Sequence, residues 1–238
     1  MEPRASEQPP CLAWIPKDFF VQWFRQHGRT FHWRQPGTSP YGVLVAEMLL
    51  RQTRASMVPP VWEQLVQRYP GPTELSTASL EELYQIVQQL GLGRQRATAL
   101  RSMAQAVTER FAGKIPENVK ALESLPHVGP YVSRAVCCFA FGEQLAIVDS
   151  NVLRVLSRLT GCQLPRDIRR SRARCAWEMA ARLLPEGAAR EHNLGLLDFA
   201  AAVCKPVNPH CAACPLAGQC HHAGAVIGRS DPRRGDEG

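Results

Sequence analysis

Apolar residues recur at helical spacing along most of this chain. Phe19, Phe20, Trp23 and Phe24 fall at i, i+1, i+4 and i+5, one stripe of a helix that the sequence opens near Pro16 and closes near Gly28. Val43, Leu44, Met48 and Leu49 predict a second helix, which carries Glu47 and reaches Gln52. Ser79 with Glu82 is a capping-box pattern, because the hydroxyl can take the N3 amide while the Glu reaches back; it opens a helix that closes at Gly91. Residues 94–111 form the next helix, ended by Gly113, and a short one spans Asn118 to Glu123. Another is predicted from Tyr131 to Phe141. After Gly142, a helix capped by Asp149 or Ser150 runs through Leu159, and further helices fit 168–184 and 192–203. No alternating strand pattern of convincing length and no internal repeat is found, so the predicted fold class is all-α.

Composition narrows this picture only a little. Of 238 residues 45% are apolar, enough for a core, and 28 Lys and Arg against 21 Asp and Glu leave a formal charge of +7. Such a surplus suits an acidic partner without identifying one. No stretch approaches the ~20 uncharged apolar residues of a membrane span, and the longest candidate is interrupted by Arg134. Residues 1–14 are rich in Pro and polar residues and lack the apolar segment of a secretory leader, so a cytoplasmic location is expected. Residues 1–14 and 223–238 are expected to be disordered.

The cysteines change the picture more. Cys204, Cys211, Cys214 and Cys220 gather near the C-terminal end as C-x6-C-x2-C-x5-C, stiffened by Pro206, Pro209 and Pro215. Four soft thiolates in one loop-rich segment suit a tetrahedral zinc or a cubane iron–sulfur cluster, and spacing alone does not choose. Cys11, Cys137, Cys138, Cys162 and Cys175 are scattered and read as core residues.

Leu125-Pro-His-Val-Gly-Pro-Tyr131 joins two helices by a tight turn. His127, Val128 and Gly129 would leave the first amides of the second helix pointing outward, a site for a phosphate, although such turns also serve as plain connections. Asp149 has two readings as well: the cap of the next helix, or a carboxylate that stabilises a cationic, oxocarbenium-like transition state. Glu47, on an otherwise apolar helix face, would have its pKa raised by desolvation and suits a general acid, or else simply bonds to backbone. Arg166, Arg169, Arg170, Arg172 and Arg174 form either a solvated face or a phosphate contact.

Taken together, the hairpin, the segment Val148-Asp149-Ser150-Asn151 and the four-cysteine loop resemble the helix-hairpin-helix DNA glycosylases of the endonuclease III superfamily, across about residues 16–221. The resemblance implies two helical domains, 30–145 and 15–29 plus 146–222, with double-stranded DNA bound across the groove between them by a monomer. It also implies a [4Fe–4S] cluster on Cys204, Cys211, Cys214 and Cys220. Strand-cleaving members carry a Lys after the Gly-Pro of the hairpin; here Tyr131 stands there, which is similar to the monofunctional branch of MutY adenine glycosylases and Mig-type mismatch glycosylases.

By the same resemblance Asp149 is the catalytic carboxylate, Glu47 acts on the base and Tyr131 sits by the sugar. Gln52 fills the stack vacated by a flipped base, and Arg51 and Asn151 belong with it to the DNA-binding set. The run Ala46 to Ala55, with Arg51 where MutY enzymes read Gln, and His192 to Phe199 favour the Mig type, a bacterial or archaeal, nucleoid-associated enzyme releasing thymine or uracil opposite guanine. Gln52 keeps an adenine glycosylase lacking the extra C-terminal domain as the alternative, and a non-catalytic DNA-binding module stapled by the cluster is the alternative of another class. One departure stands out: the hairpin usually reads Leu-Pro-Gly-Val-Gly, and His127 replaces its first Gly. His tolerates left-handed backbone better than β-branched residues do.

Overall fold

A computed structural model describes residue 12 and residues 14–164 and 174–226. Its order is α1 (Phe19–His27), α2 (Pro40–Leu49), α3 (Pro59–Arg68), α4 (Pro72–Thr77), α5 (Leu80–Val87), α6 (Gly93–Phe111), α7 (Val119–Glu123), α8 (Pro130–Phe141), α9 (Ser150–Thr160), α10 (Arg174–Leu183), α11 (Ala189–Ala202) and α12 (His221–Val226), with 3-10 turns between some of them. Among the described residues there is no strand, as the all-α reading requires. None of these helices is long and apolar enough to cross a membrane.

The chain divides into two compact units, one of Thr30–Leu145 and one of the segments before Thr30 and after Leu145. In the first, α2 packs against α8 and α3, α4 and α5 lie on α6, and α7 lies on α8. Its core includes Leu44, Leu65, Leu83, Met103 and Val107. In the second, α1 packs against α11, and α9 meets α10, α11 and α12 around Phe20, Val155, Leu156 and Phe199. A Cβ on Gly195 of α11 would lie 1.9 Å from the Phe20 carbonyl oxygen, so the α1–α11 approach needs glycine. Asp198, itself buried, accepts from the Arg29 backbone N–H and Nε at 2.7 Å each and fixes the chain as it leaves α1.

Several helix starts follow from local chemistry. Ser79 accepts from the Glu82 amide at 3.1 Å and donates to its carboxylate at 3.2 Å, the reciprocal cap its spacing predicts. Asn118 caps α7 through the Ala121 amide at 2.8 Å. The pattern misses α3 and α4, which begin at Pro59 and Pro72; a proline in the first turn is tolerated because its missing N–H would be unsatisfied anyway.

Other differences have physical causes. The helix bearing Glu47 stops at Leu49, and Arg51 and Gln52 lie in the turn that follows. Its carbonyls are taken over there by an arginine from α6, described below. Helix α11 begins at Ala189, three residues before the predicted His192, because His192 and Asn193 are core positions rather than start signals. The core also reaches further toward both ends than the pattern predicts: Leu12 is buried, and α12 continues to Val226 with Ala223 buried. The arginines from Arg166 to Arg172 lie outside the described residues. Arg174, at the start of α10, forms an exposed i,i+4 pair with Glu178 at 2.8 Å.

Candidate active site

Asp149 is the N-cap of α9. Its Oδ1 accepts from the Asn151 and Val152 amides at 2.8 and 2.7 Å, and its Oδ2 accepts from Asn151 Nδ2 at 2.7 Å. Burial pushes this carboxyl above the usual value of 3.8, against the pull of those N–H donors and of Arg154. The group is therefore desolvated yet oriented. Asn151 Oδ1 in turn accepts from Arg154 Nη1 at 3.0 Å, and Arg154 donates to the carbonyls of Cys204 (2.8 Å) and Ala200 (3.1 Å).

One turn further along α9, Arg158 donates to the Lys205 and Pro206 carbonyls, at 2.5 and 3.0 Å, and lies 3.5 Å from the Cys204 sulfur. The Cys220 thiol donates to the Arg158 carbonyl at 3.3 Å. Sequence reasoning missed both arginines. Their signal was the helical spacing Asn151, Arg154, Arg158, which places the three side chains on one face.

All four cysteines of the loop are half-buried and none forms a disulfide. They sit near enough to act on one another: burial pushes the Cys211 thiol up, as do the charges of Cys220 and Cys204, and Cys214 is raised by burial and by the other three. Thiols that oppose one another's ionisation become joint ligands only when a cationic group neutralises them. The donor set therefore fits a cationic metal centre. Among the described residues no group of three or more His, Cys, Asp or Glu side chains is arranged to hold a metal ion.

The hairpin links α7 to α8. His127 stands at φ +63°, the left-handed conformation a glycine would take most easily, and its carbonyl accepts from Arg51 Nη1 at 3.1 Å. Gly129 does not supply that special conformation: it is extended (φ −106°, ψ −176°) and serves as N-cap of α8. Among the described residues, its chain neighbours aside, no atom lies within 4 Å of where its Cβ would be, so this face is open to close approach. Val128 is buried in the core, so its side chain packs rather than projects. Tyr131 occupies the first turn of α8 and is half-buried against the same core. Glu47 lies on α2, which packs on α8, and is only 4% exposed. Arg51, Gln52 and His127 line one cavity of about 500 Å³ together with Leu92, Arg94 and Gln95. Gln52 is left-handed, at φ +55°.

These features meet a known family. Residues 45–178 match the model of the HhH-GPD superfamily base excision DNA repair proteins, and the chain belongs to that superfamily. It is 38% identical over 204 residues to a thymine/uracil-DNA glycosylase of Pyrobaculum aerophilum, covering 84% of this chain and 88% of that one. It is 34% identical over 224 residues to an adenine DNA glycosylase of Mycobacterium tuberculosis, covering 90% and 70%. The solved structure of a thermostable thymine-DNA glycosylase superposes with a TM-score of 0.77 at 32% identity, over 88% of this chain and 95% of that one. The protein is a DNA glycosylase of base excision repair, an enzyme that hydrolyses N-glycosidic bonds.

Proposed function

We propose that this enzyme is a monofunctional glycosylase that releases thymine or uracil mispaired with guanine from double-stranded DNA. The observation that carries the reading is Asp149: a desolvated carboxylate held at the start of α9 by three N–H donors. A flipped nucleotide is reached only outside the duplex, and a mispaired base costs least to extrude. Asp149 then stabilises the cationic sugar as the base departs and orients water toward the anomeric carbon. Glu47 holds or protonates the base edge, and Tyr131 packs by the sugar without the amine that a lyase step needs. Arg51, Gln52, His127, Gly129 and Asn151 are the DNA-facing set, with Val128 contributing through its backbone only, because its side chain is in the core.

In this reading Cys204, Cys211, Cys214 and Cys220 hold a [4Fe–4S] cluster, which supplies a rigid four-point anchor for the loop. The enzyme acts as a monomer. A second reading, adenine release opposite guanine or 8-oxoguanine, is favoured by Glu47, since a buried acid suits protonation of a purine.

Incubation with duplexes carrying T:G, U:G, A:G and A:8-oxoguanine, followed by alkali, tests all of this. Alkali-dependent cleavage at T:G and U:G is expected. Cleavage confined to the adenine duplexes selects the second reading, and strand scission without alkali refutes the monofunctional assignment. Mismatch binding with no abasic site in any duplex leaves a binding module instead of an enzyme.

A further inference from the structure

Two turns of the first unit place a non-glycine residue in left-handed backbone beside the same cavity. Gln52 has φ +55° after α2, and Leu92 has φ +55° before α6, where it is 52% exposed. Residues with a Cβ resist this conformation, so each turn needs a tether. Both tethers come from Arg96, in the first turns of α6, 7% exposed.

Its donors bracket the two residues. Nη2 bonds to the Arg51 carbonyl at 2.7 Å and to Thr53 Oγ1, on either side of Gln52. Nη1 takes the Leu49 carbonyl at 3.0 Å, and Nε takes the Gly91 carbonyl at 2.8 Å, just before Leu92. The backbone N–H of Arg96 closes on the Leu92 carbonyl at 2.9 Å. Every one of these contacts goes to a carbonyl or a hydroxyl. The guanidinium thus replaces the missing donors at the C-terminal end of α2, where its charge also meets the negative end of the helix dipole.

We infer that Arg96 is a positioning residue that fixes the Gln52 and Leu92 turns in one arrangement before DNA arrives. The inference rests on the glycosylase reading above, because its ligand is a duplex with a base to be opened. With the two turns free to rearrange, part of the binding energy would go into ordering them instead of opening the base. A planar fork of donors performs this tethering, and an ammonium at the same place does not.

The test uses Arg96→Lys and Thr53→Val. A duplex with 2-aminopurine beside the mismatched base reports opening by fluorescence, and release is timed under single-turnover conditions on the T:G duplex. It is timed again on the same strand with its thymine opposite an abasic site, where no pairing has to be broken. Arg96→Lys is expected to lose on the order of tenfold in opening and in release from the paired duplex, with most of that loss absent on the unpaired one. Thr53→Val, which removes one acceptor, is expected to show the same pattern at about threefold.

An equal loss on both substrates overturns the inference, because a general structural defect is blind to pairing; so do unchanged opening in both variants and a wild-type protein that opens no base. If Arg96→Lys does not fold, the paired-to-unpaired ratio in Thr53→Val decides alone. A wild-type enzyme that opens the mismatch but releases nothing, with opening lost in the variants, sustains this inference while refuting the glycosylase mechanism.

Discussion

Replacing Asp149 by Asn separates its two jobs. Asn caps a helix as well as Asp does, so the bonds that Oδ1 accepts from the Asn151 and Val152 amides survive. What is lost is the acceptor for Asn151 Nδ2, about 1 kcal/mol, and a charge at the positive end of α9, about 0.5 kcal/mol. Relief of a desolvated charge opposes both losses, since desolvation outweighs the groups that favour the ionised carboxyl. The variant is therefore expected to melt within about 3–6 °C of the wild type. Release of the base should fall far more, by about 10²–10³, the usual effect of deleting one electrostatic stabiliser of a charged transition state.

The pH dependence adds a second check. Because the folded pKa lies above 3.8, the ionised carboxylate costs the wild type stability at neutral pH, and that cost disappears as the pH falls through the folded value toward 3.8. Acidification should thus favour the wild type over the Asp149→Asn variant in stability while suppressing wild-type release over the same interval. Single-turnover release and thermal denaturation at two pH values measure both quantities. Release at the wild-type rate from Asp149→Asn would mean that Asp149 is only a cap.

Four further expectations are simpler. His192 is 1% exposed, edge-on to Phe20 at 5.3 Å, and burial lowers its pKa from 6.5 to about 4. It folds neutral, so it should withdraw on the order of 3 kcal/mol of stability as the pH falls from 6.5 to about 4. Urea denaturation of His192→Gln should lack that acid loss, and an identical loss in both proteins would place its origin elsewhere. His127→Gly relieves a left-handed side chain at some entropic cost and should gain about 0.5 kcal/mol in thermal denaturation; a marked loss would reveal a stabilising imidazole. Glu47→Gln should slow adenine release more than thymine release in the duplex panel, and equal slowing would give Glu47 a role common to both bases. Iron and acid-labile sulfide assays should find both elements in the purified protein and far less in Cys211→Ser, whereas zinc alone would refute the cluster.

The helices legible in the sequence are those with a chemical start signal. Ser79, Asn118 and Asp149 each mark a helix because a side-chain oxygen beside a free amide has one good use, and the apolar spacing then carries the helix forward. The pattern fails where tertiary contacts decide. Nothing local says that α2 ends at Leu49, since its last carbonyls are taken by Arg96, forty-seven residues away. His192 and Asn193 look like a polar beginning for α11 but are buried inside it; Asn193 Oδ1 accepts from the Ile147 amide at 3.3 Å. The site shows the same division. Asp149, the cysteines and the hairpin are visible as motifs, whereas Arg96, Arg154 and Arg158 act through backbone carbonyls that any sequence supplies.

Arg154 also bears on whether a helix cap can be a catalytic group at all. A cap with both oxygens saturated by backbone amides would be a spent acceptor. Among the described residues, the two amides fall on one oxygen of Asp149, and the other receives one side-chain N–H, from Asn151. A carboxylate oxygen accepts more than one hydrogen bond, so Oδ2 retains capacity for a water or for a developing positive charge. Asn151 is itself oriented by Arg154, and Arg154 is anchored on the Cys204 and Ala200 carbonyls. Capping thus takes one face of the carboxylate and fixes the direction of the other, which is the kind of preorganisation that electrostatic catalysis requires.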